Sequence, residues 1–448
     1  MSALSLRANS ISMLDRLELF KFGGASIKDA AAVRNVVQIL QRFPDLPLVV
    51  VISAMGKTTN ALEEVVADYL KQDLAAATEK LHAIRDAHLQ CAAELFGADQ
   101  IPADLADNLN DLLVSVEWQL EDEPNPNPDY DYDQIVSLGE LMSTRIVAAY
   151  LNHQGRATDW VDARDLILTD NIYREGWVQW PETQARIQKQ VPPLLKAGKL
   201  VLTQGFIGGT SENYTTTLGR EGSDYTAAIF SYCLDAQRMS IWKDVPGVLT
   251  ADPRKFEHVT KLDRLSYREA IEMTYYGAKV IHPKTIKPLQ NKSIPLHVRS
   301  FIEPEGTGTL ISDALEGEAY PAMVAVEDEQ ALVHISTRDF SFVAEQHIKE
   351  LFDQIAELRL QVNMIQNTAI VFNVVFNDVD DKVDQFCERI QENYQTVIDR
   401  DLELITVRHY TNEVVDSLSR GKIVLLEGRL PRTVQMVVKS QPVIKRKI

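Results

Sequence analysis

The sequence predicts an α/β protein in which a mainly parallel sheet lies between helices, followed by a smaller α+β region with a ferredoxin-like pattern. Predicted strands and helices alternate over roughly the first 300 residues, as they do in βαβ proteins. A stretch rich in Gly, Pro and acidic residues follows at 303–318 and is typical of a linker. Beyond it the predicted elements are shorter and run in the order βαββα.

Six strands are predicted in the first part, and the one at 47–52 is a β-branched run typical of a buried parallel strand. The six strands cover residues 17–22, 47–52, 156–161, 199–204, 239–242 and 294–300. Helical periodicity and composition predict helices at 29–42, over most of 60–121, from 137 onwards, and at 225–234 and 266–273. Gly97 and Pro102 predict breaks in the long helical stretch.

The second part is predicted to hold two related units. The first has strands at 331–337, 361–366 and 370–376, with helices at 344–358 and 379–394. A shorter second copy covers strands at 403–410, 423–426 and 434–438 and the segment 412–419, with no closing helix. We therefore expect two domains, residues 1–312 and 313–448, and a chain of this length has room for both.

The composition is that of a globular protein and excludes several classes of function. The chain has 448 residues, 45% hydrophobic and 25% charged, with a formal net charge of −18. Such a negative chain is a poor partner for nucleic acid, and an anionic substrate would need a local positive pocket. The longest apolar run is too short to span a membrane, and no signal peptide is expected. The three cysteines show no metal or disulfide spacing, which predicts a reducing, cytoplasmic location.

The stretch 217–254 contains the strongest functional signal. Its turn, LGREGSD at 218–224, combines glycines that open the backbone with Arg220, whose guanidinium suits a carboxylate or phosphate. Ser223 and Asp224 are predicted N-caps of the helix at 225–234, and the amides exposed there favour an anion. A strand and a second polar loop follow. This arrangement is typical of ligand sites in open α/β sheets.

Two further positions point to the same chemistry. Lys21 stands at the end of the first strand, just before Gly23 and Gly24, where an ammonium can meet phosphate oxygens while the backbone approaches them. Glu140 lies among apolar residues in the first turn of the helix that begins near residue 137. It is either a capping glutamate or a carboxylate aimed at a ligand cation.

Five segments resemble those of the aspartate kinase family and occur in that family's order. They are KFGG at 21–24, SLGELMS at 137–143, TLGREGSDYTAA at 217–228, WKDVPGVLTADPR at 242–254 and GAKVIHPKT at 277–285. Any one alone is a weak signal, but the set is specific and covers about the first 300 residues. The tail is similar in pattern to a pair of ACT domains, the small amino-acid-sensing modules of these kinases.

The resemblance implies the amino acid kinase fold, ferredoxin-like ACT domains and a monofunctional enzyme. It implies transfer of the ATP γ-phosphoryl group, with Mg²⁺ as the cofactor metal, to the β-carboxylate of L-aspartate. The product, 4-phospho-L-aspartate, leads towards lysine, threonine and methionine. The resemblance also implies feedback control by an amino-acid effector, lysine or threonine, and a homodimer or higher homo-oligomer formed through the ACT domains. No nucleic acid or membrane partner is expected.

The family's functional positions carry over to residues of this sequence. Lys21 would contact the transferring phosphoryl group, Arg220 would clamp a substrate carboxylate, and Asp224 would organise the catalytic lysines by its charge. The substrate positions are Ser53, Thr59, Glu140, Arg220 and Ser223. The nucleotide positions are Lys21, Gly23, Gly24, Lys243, Asp244, Leu249, Arg254, Lys279 and Val280. No Mg²⁺ ligand is assigned.

Some positions depart from the family's pattern or have a structural alternative. Ala25 replaces the usual threonine, and Leu249 replaces a common tyrosine. Glu221 stands where many members have glycine, and its carboxylate is expected to point away from the anion site. Arg254 has an equal alternative as the brace of a turn, and the lone His282 is interpreted as structural. Two other functions stay open, namely a related kinase such as glutamate 5-kinase and a silent amino-acid-binding regulator.

Overall fold

The computed structural model describes residues 13–98, 100–277, 281–313, 319–339 and 341–440. The chain divides into two compact units. The first takes the described residues of Met1–Val248, Lys261–Ile271 and Ile281–Glu316, and the second takes those of Leu249–Thr260, Glu272–Val280 and Gly317–Ile448. Two short segments that are flanked in sequence by first-unit residues therefore pack with the C-terminal part.

Up to residue 311 the strands and helices alternate as expected. The strands are β1 (Glu18–Phe22), β2 (Leu48–Ile52), β3 (Thr158–Val161), β4 (Leu200–Gln204), β5 (Ile207–Gly209), β6 (Thr215–Thr217), β7 (Arg238–Lys243), β8 (Arg264–Leu265), β9 (Leu296–Ser300) and β10 (Thr309–Ile311). The helices are α1 (Ala30–Gln41), α2 (Thr58–Leu70), α3 (Leu74–Phe96), α4 (Ala103–Glu121), α5 (Pro128–Val136), α6 (Leu138–His153), α7 (Ala163–Leu166), α8 (Trp180–Lys196), α9 (Gly222–Cys233), α10 (Tyr267–Tyr275) and α11 (Pro283–Asn291).

The first unit is organised around an eight-stranded sheet in the order β3-β4-β2-β1-β7-β9-β10-β8. The six strands from β3 to β9 pair in parallel, and β10 is antiparallel to β9. Every residue of β2, LVVVI, is buried, as expected for a strand covered on both faces by helices. The predicted fold class, a mainly parallel sheet between helices, is confirmed.

Helices of the first unit begin and end at turn residues of the kind that the sequence predicts. Asp29 caps α1 by accepting a hydrogen bond from the Ala32 backbone N–H. The break expected near Gly97 is present, since α3 ends at Phe96 and Gly97 takes a φ of 97°. The helix α4 then starts directly after Pro102. Within the described residues, no helix combines the length and apolar character needed to cross a membrane.

The second unit contains a six-stranded antiparallel sheet in the order β12-β13-β11-β14-β16-β15. The strands are β11 (Met323–Thr337), β12 (Val362–Asn367), β13 (Val371–Asn377), β14 (Tyr394–Arg408), β15 (Lys422–Leu430) and β16 (Thr433–Ser440). The helices are α12 (Glu345–Glu357), α13 (Lys382–Ile390) and α14 (Asn412–Ser419). Apolar residues of α12 and α13 pack with alternate residues of β11 and β13, including Val333 and Phe372.

Four strands of this sheet, β11, β14, β15 and β16, are longer than the sequence predicts. Strand β11 begins eight residues before the predicted start at residue 331, and it pairs along its whole length with β14. The charged run at residues 327–329 hid the strand, because it interrupts the apolar alternation and coincides with a shift in the pairing register. Both halves of the unit therefore share one continuous pair of strands.

Candidate active site

Four loops of the first unit meet at the carboxyl edge of the parallel sheet. The register pairs Phe22 of β1 with Ile52 of β2 and with Trp242 of β7, and it pairs Ile52 with Gln204 of β4. The loops that leave these four neighbouring strands therefore begin at the same level. This edge is where open α/β sheets bind their ligands.

A buried ion pair lies at this edge. The Lys21 ammonium is 2.7 Å from Oδ1 of Asp224, and the two side chains are only 11% and 4% exposed. Burial alone would raise the pKa of Asp224, but the charges of Lys21 and Lys243 outweigh it and hold the pKa below its ordinary value. Two lysine charges thus act on one ionised carboxylate. Ammonium groups at this edge suit phosphate oxygens.

Glycines allow the first two loops to pack against each other. A Cβ atom on Gly24 would lie 2.8 Å from the carbonyl oxygens of both Ala54 and Gly56, so only glycine fits there. The Gly56 N–H in turn donates to the Gly24 carbonyl at 3.1 Å. A Cβ on Gly23 would lie 3.4 Å from the Lys21 ammonium nitrogen. The loop after β1 is therefore fixed tightly around the lysine.

The helix α9 starts earlier than the sequence predicts. Ser223 and Asp224 were expected to cap it, but the N-cap residue is Glu221, which makes no side-chain capping bond, and the helix begins at Gly222. The reason is the left-handed backbone of Glu221, with a φ of 53°, which turns the chain into the helix. Ser223 and Asp224 consequently lie in the first turn. This conformation also explains why glycine suits position 221 well.

Glu140 is buried in the first turn of α6 with one oxygen left without a partner. Its Oε1 accepts a hydrogen bond from the Ala54 N–H at 3.1 Å, while Oε2 has no hydrogen-bond partner among the described residues. Burial raises the pKa of this carboxyl to about 8, although the Ala54 N–H and the charge of Lys21 lower it in part. An unpartnered buried carboxylate oxygen is costly unless a ligand cation meets it.

Comparisons with known proteins identify the family. A family model described as the amino acid kinase family matches residues 17–300. The lysine-sensitive aspartokinase 3 of Escherichia coli (strain K12) is 31% identical over 357 residues, which cover 80% of this chain and 77% of that protein. The chloroplastic aspartokinase 3 of Arabidopsis thaliana is 30% identical over 441 residues, covering 95% and 74% of the two chains. The chain belongs to the aspartokinases of the amino acid kinase family.

Solved aspartokinase structures have the same fold along nearly the whole chain. The E. coli aspartokinase III complex with lysine and aspartate, in the T-state, superimposes with a TM-score of 0.79 and 26% identity. The complex with aspartate and ADP, in the R-state, gives 0.79 and 25%. Each comparison covers 94% of this chain and 96% of the other. The antiparallel C-terminal sheet is thus part of the aspartokinase architecture.

In this aspartokinase the predicted substrate residues lie on segments that leave the carboxyl edge of the sheet or precede α9. Ser53 is half-buried in the loop after β2, and Thr59 lies in the first turn of α2, which starts from the same edge. Ser223 is buried next to Asp224 in α9. Arg220 is exposed two residues before α9, and among the described residues no carboxylate forms an ion pair with it. Its guanidinium is therefore free to meet a substrate anion.

The predicted nucleotide residues are distributed between the two units. Lys243 ends β7 and Asp244 is exposed directly after it, both in the first unit. Leu249 and Arg254 belong to the second unit. The Arg254 guanidinium forms an ion pair with Asp252 at 2.7 Å, which is the turn brace considered as its alternative. Lys279 and Val280 lie outside the described residues.

His282 is joined by a hydrogen bond to Glu221, the residue directly after Arg220 in the chain. The His282 ring nitrogen Nδ1 accepts a hydrogen bond from the Lys284 N–H and so caps α11. The His282 backbone N–H donates to Oε2 of Glu221 at 2.9 Å. The Glu221 carboxylate is therefore engaged by a backbone donor, which relieves the expected repulsion with an anion in the site.

Two contributors to this site could not be found from the sequence. The Ala54 N–H acts through the main chain, so its side chain gives no signal. Gly205 follows β4 and was recognised only as a loop residue. A Cβ there would lie 2.4 Å from Cβ of Ser223, so Gly205 is what allows α9 to approach the sheet.

Proposed function

We infer that the chain is an aspartate kinase, which transfers the γ-phosphoryl group of ATP to the β-carboxylate of L-aspartate and forms 4-phospho-L-aspartate. The observation that carries this function is the Lys21–Asp224 ion pair, with Lys243 nearby, at the same sheet edge as the unpartnered oxygen of Glu140. The lysines match the phosphates of ATP, and the glutamate matches the α-ammonium of an amino acid.

The proposed mechanism needs no general base. The β-carboxylate of aspartate, with a pKa of about 4, is already ionised near neutrality. One of its oxygens attacks the γ-phosphorus directly, the bond from that phosphorus to the β,γ-bridging oxygen breaks, and ADP leaves. The obstacle is the repulsion between two anions, which Lys21 offsets by donating to the oxygens of the transferring group. Asp224, whose pKa is lowered, is a poor proton acceptor and holds the two lysines in place instead.

The unpartnered oxygen of Glu140 and the exposed side chain of Arg220 support the proposed substrate contacts. Glu140 binds the α-ammonium of aspartate, and Arg220 binds one of its carboxylates. Ser53, Thr59 and Ser223 supply hydroxyl groups around the same position.

In the first unit, the proposed nucleotide-binding residues are Lys21, Gly23, Gly24, Lys243 and Asp244. Leu249, Arg254, Lys279 and Val280 stay predicted nucleotide positions from the match to the family. The described residues contain no group of three His, Cys, Asp or Glu side chains that could hold a metal ion. Mg²⁺ is commonly bound through substrate phosphates and few protein carboxylates, and a positive site of this kind fits a metal carried by ATP. When bound, it would neutralise phosphate charge.

A hydroxamate assay with ATP, Mg²⁺ and a panel of amino acids tests this function. Aspartate should give hydroxamate, and glutamate should give little. Turnover with glutamate alone would favour a kinase such as glutamate 5-kinase. Tight amino-acid binding without any turnover would favour a silent regulator.

We further propose that the second unit senses an amino acid and controls the kinase. The proposed domains are residues 1–312, the catalytic domain, and residues 313–448, a pair of ACT-like units. The segments 249–260 and 272–277 belong to the same compact unit as the ACT-like part. Lysine and threonine are the candidate effectors, and assembly through the ACT-like units would give a homodimer. A cytoplasmic location completes the proposal. Activity and sedimentation measured with each effector test it.

Glu140 gives a prediction about protons. Because burial raises the pKa of the free Glu140 carboxyl to about 8, most of it is neutral at pH 7. Binding of the aspartate ammonium favours the ionised form, so aspartate binding should release close to one proton at pH 7 and weaken up to about tenfold per pH unit below 8. Calorimetry at pH 7 in two buffers of different ionisation enthalpy measures the release.

The raised pKa of Glu140 also makes the stability of the fold depend on pH. The pKa of Glu140 lies above its ordinary value of 4.5, so its contribution to the free energy of unfolding is lost as the pH rises from 4.5 towards 8.

Glu140→Gln should abolish the proton release that accompanies aspartate binding. Glu18→Gln is the matched control, since burial also raises the pKa of Glu18 but this residue starts β1 at the opposite edge. Equal proton release in wild type and Glu140→Gln would contradict the assignment.

A further inference from the structure

Asp133 is a fully buried carboxylate that the proposed mechanism does not use. It lies in α5, and three donors converge on it. The Thr217 hydroxyl donates to Oδ1 at 2.7 Å, the Thr217 N–H donates to Oδ2 at 2.8 Å, and the Arg174 N–H donates to Oδ2 at 2.9 Å. A buried carboxylate with this many donors fixes the groups that donate to it.

The donors belong to two segments that lie next to residues 218–220, the loop that carries Arg220. Thr217 is the last residue of β6 and stands three residues before Arg220. Arg174 belongs to the loop 170–177. A second residue of this loop also bonds to Thr217, since the Gly176 N–H donates to the Thr217 carbonyl at 2.9 Å. A Cβ on Gly219 would lie 3.2 Å from Cγ of Glu175, so this loop also touches the chain just before Arg220.

Other bonds also hold this part of the chain, such as the Leu218 N–H to the Phe206 carbonyl at 2.8 Å and the Gln134 side chain to the Thr215 main chain. Strand β6 pairs with β5 in a two-stranded sheet and does not join the eight-stranded one. Arg220 itself is exposed and lies between the end of β6 and the start of α9. The Asp133 carboxylate ties the last residue of β6 to the loop 170–177, just before residues 218–220. Burial raises the pKa of Asp133 to about 6 although its hydrogen bonds lower it in part, so the group is mainly ionised at pH 7 and accepts all three bonds.

We propose that Asp133 is a positioning residue, which holds Thr217 and the loop 170–177 together and thereby places the Arg220 guanidinium on the carboxylate of the amino-acid substrate. The inference rests on the proposed role of Arg220 in aspartate binding. Asp133 does not touch the substrate. Its effect passes through the main chain at residues 217–220.

The purely structural alternative is that Asp133 stabilises the fold without influencing the loop that carries Arg220. Asp131 offers a matched control for that alternative. It is equally buried in the same helix, but it accepts from the Gln119 side chain at 3.1 Å and the Asn125 N–H at 2.8 Å, away from β6. Loss of either carboxylate should lower Tm, whereas only the loss of Asp133 should change substrate binding.

The kinetic test uses the full chain and compares KM with kcat. Asp133→Ala should raise KM for aspartate about tenfold, the effect of losing one charge-assisted bond to the substrate, and change KM for ATP less than about twofold. Asp133→Asn should recover most of the loss, because its amide oxygen can accept the two backbone N–H bonds while the Thr217 hydroxyl turns to accept from the amide NH₂. Asp131→Ala should leave both KM values close to wild type.

A second measurement does not depend on kinase activity. Trypsin cleaves after arginine, and release of the loop should accelerate cleavage after Arg220 in Asp133→Ala but not in Asp131→Ala, as read by mass spectrometry of native digests. If Asp133→Ala does not fold, Thr217→Val gives the test, since it removes one donor and should raise KM for aspartate less than the full tenfold.

These outcomes separate the two proposals. Wild-type protein without turnover on aspartate would defeat the proposed function, while the proteolysis result would still decide whether Asp133 holds the loop. Unchanged KM for aspartate together with unchanged cleavage after Arg220 would overturn the inference. Equal increases in KM for aspartate and for ATP would also overturn it, because they would indicate a general loss of structure.

Discussion

Lys21→Ala should reduce kcat to below detection in a hydroxamate assay, a loss of at least about 10³-fold. The Lys21 ammonium lies in a nearly water-free position against Asp224, so its charge acts on the transferring phosphoryl group with little screening. Lys243, at the end of the neighbouring strand β7, cannot replace it because its own place in the register is fixed. Steady-state kinetics with aspartate and ATP measure the loss.

The loss of activity must be separated from a loss of stability. Lys21→Ala removes one partner of a buried ion pair, which costs about 3–5 kcal/mol where the other charge is left uncompensated. The double variant Lys21→Met with Asp224→Asn removes both charges, and we expect it to recover most of the stability while remaining inactive. Lys199→Ala, which breaks the ion pair with Asp159 at the protein surface, should change neither kcat nor Tm appreciably. Substantial kcat in the double variant would contradict the catalytic role of Lys21.

The sequence contains enough to predict the ion pair but not its surroundings. Lys21 at a strand end and Asp224 after a glycine-rich turn both occupy the carboxyl edge of a parallel sheet, and a general rule of α/β folds brings such positions together. The helix start was misplaced because the left-handed conformation of Glu221 has no local signature in a residue other than glycine. A one-turn error of this kind changes which side chains cap the helix and which face the ligand.

Long-range contacts explain most of the remaining differences. The bonds from Thr217 to Asp133 join residues 84 positions apart, and no periodicity in α5 indicates that one of its two buried aspartates faces β6. The segments 249–260 and 272–277 lie within the kinase-like part of the sequence, yet they belong to the unit that contains the C-terminal sheet. Within the second unit, Arg408 of β14 forms an ion pair with Glu272 at 2.8 Å, a partner 136 residues away. Pattern alone cannot reveal such partners.

Gly205→Ala should lower kcat/KM for aspartate about 100-fold, which is the effect expected when reacting groups move by about 1 Å. The new Cβ would lie 2.4 Å from Cβ and 2.7 Å from Cα of Ser223. Neither of these atoms moves when the serine changes rotamer, so the start of α9 must shift. Asp224 is the next residue, and its distance to Lys21 would change with the helix. Steady-state kinetics at saturating ATP test the expected loss.

The backbone around Gly205 cannot absorb the added methyl group. The Gly205 N–H donates to the Ile52 carbonyl at 2.8 Å, and the Phe206 N–H donates to the Thr226 hydroxyl at 3.0 Å, so one side is tied to the sheet and the other to α9 itself. Overpacking of this kind costs about 1–3 kcal/mol of stability as well. Gly428→Ala is the matched control, because its Cβ would meet only the flexible end of Met364, at 3.0 Å. If Gly205→Ala lowered Tm but kept wild-type kcat/KM, the approach of α9 to the sheet would be a packing feature and would not set the geometry of catalysis.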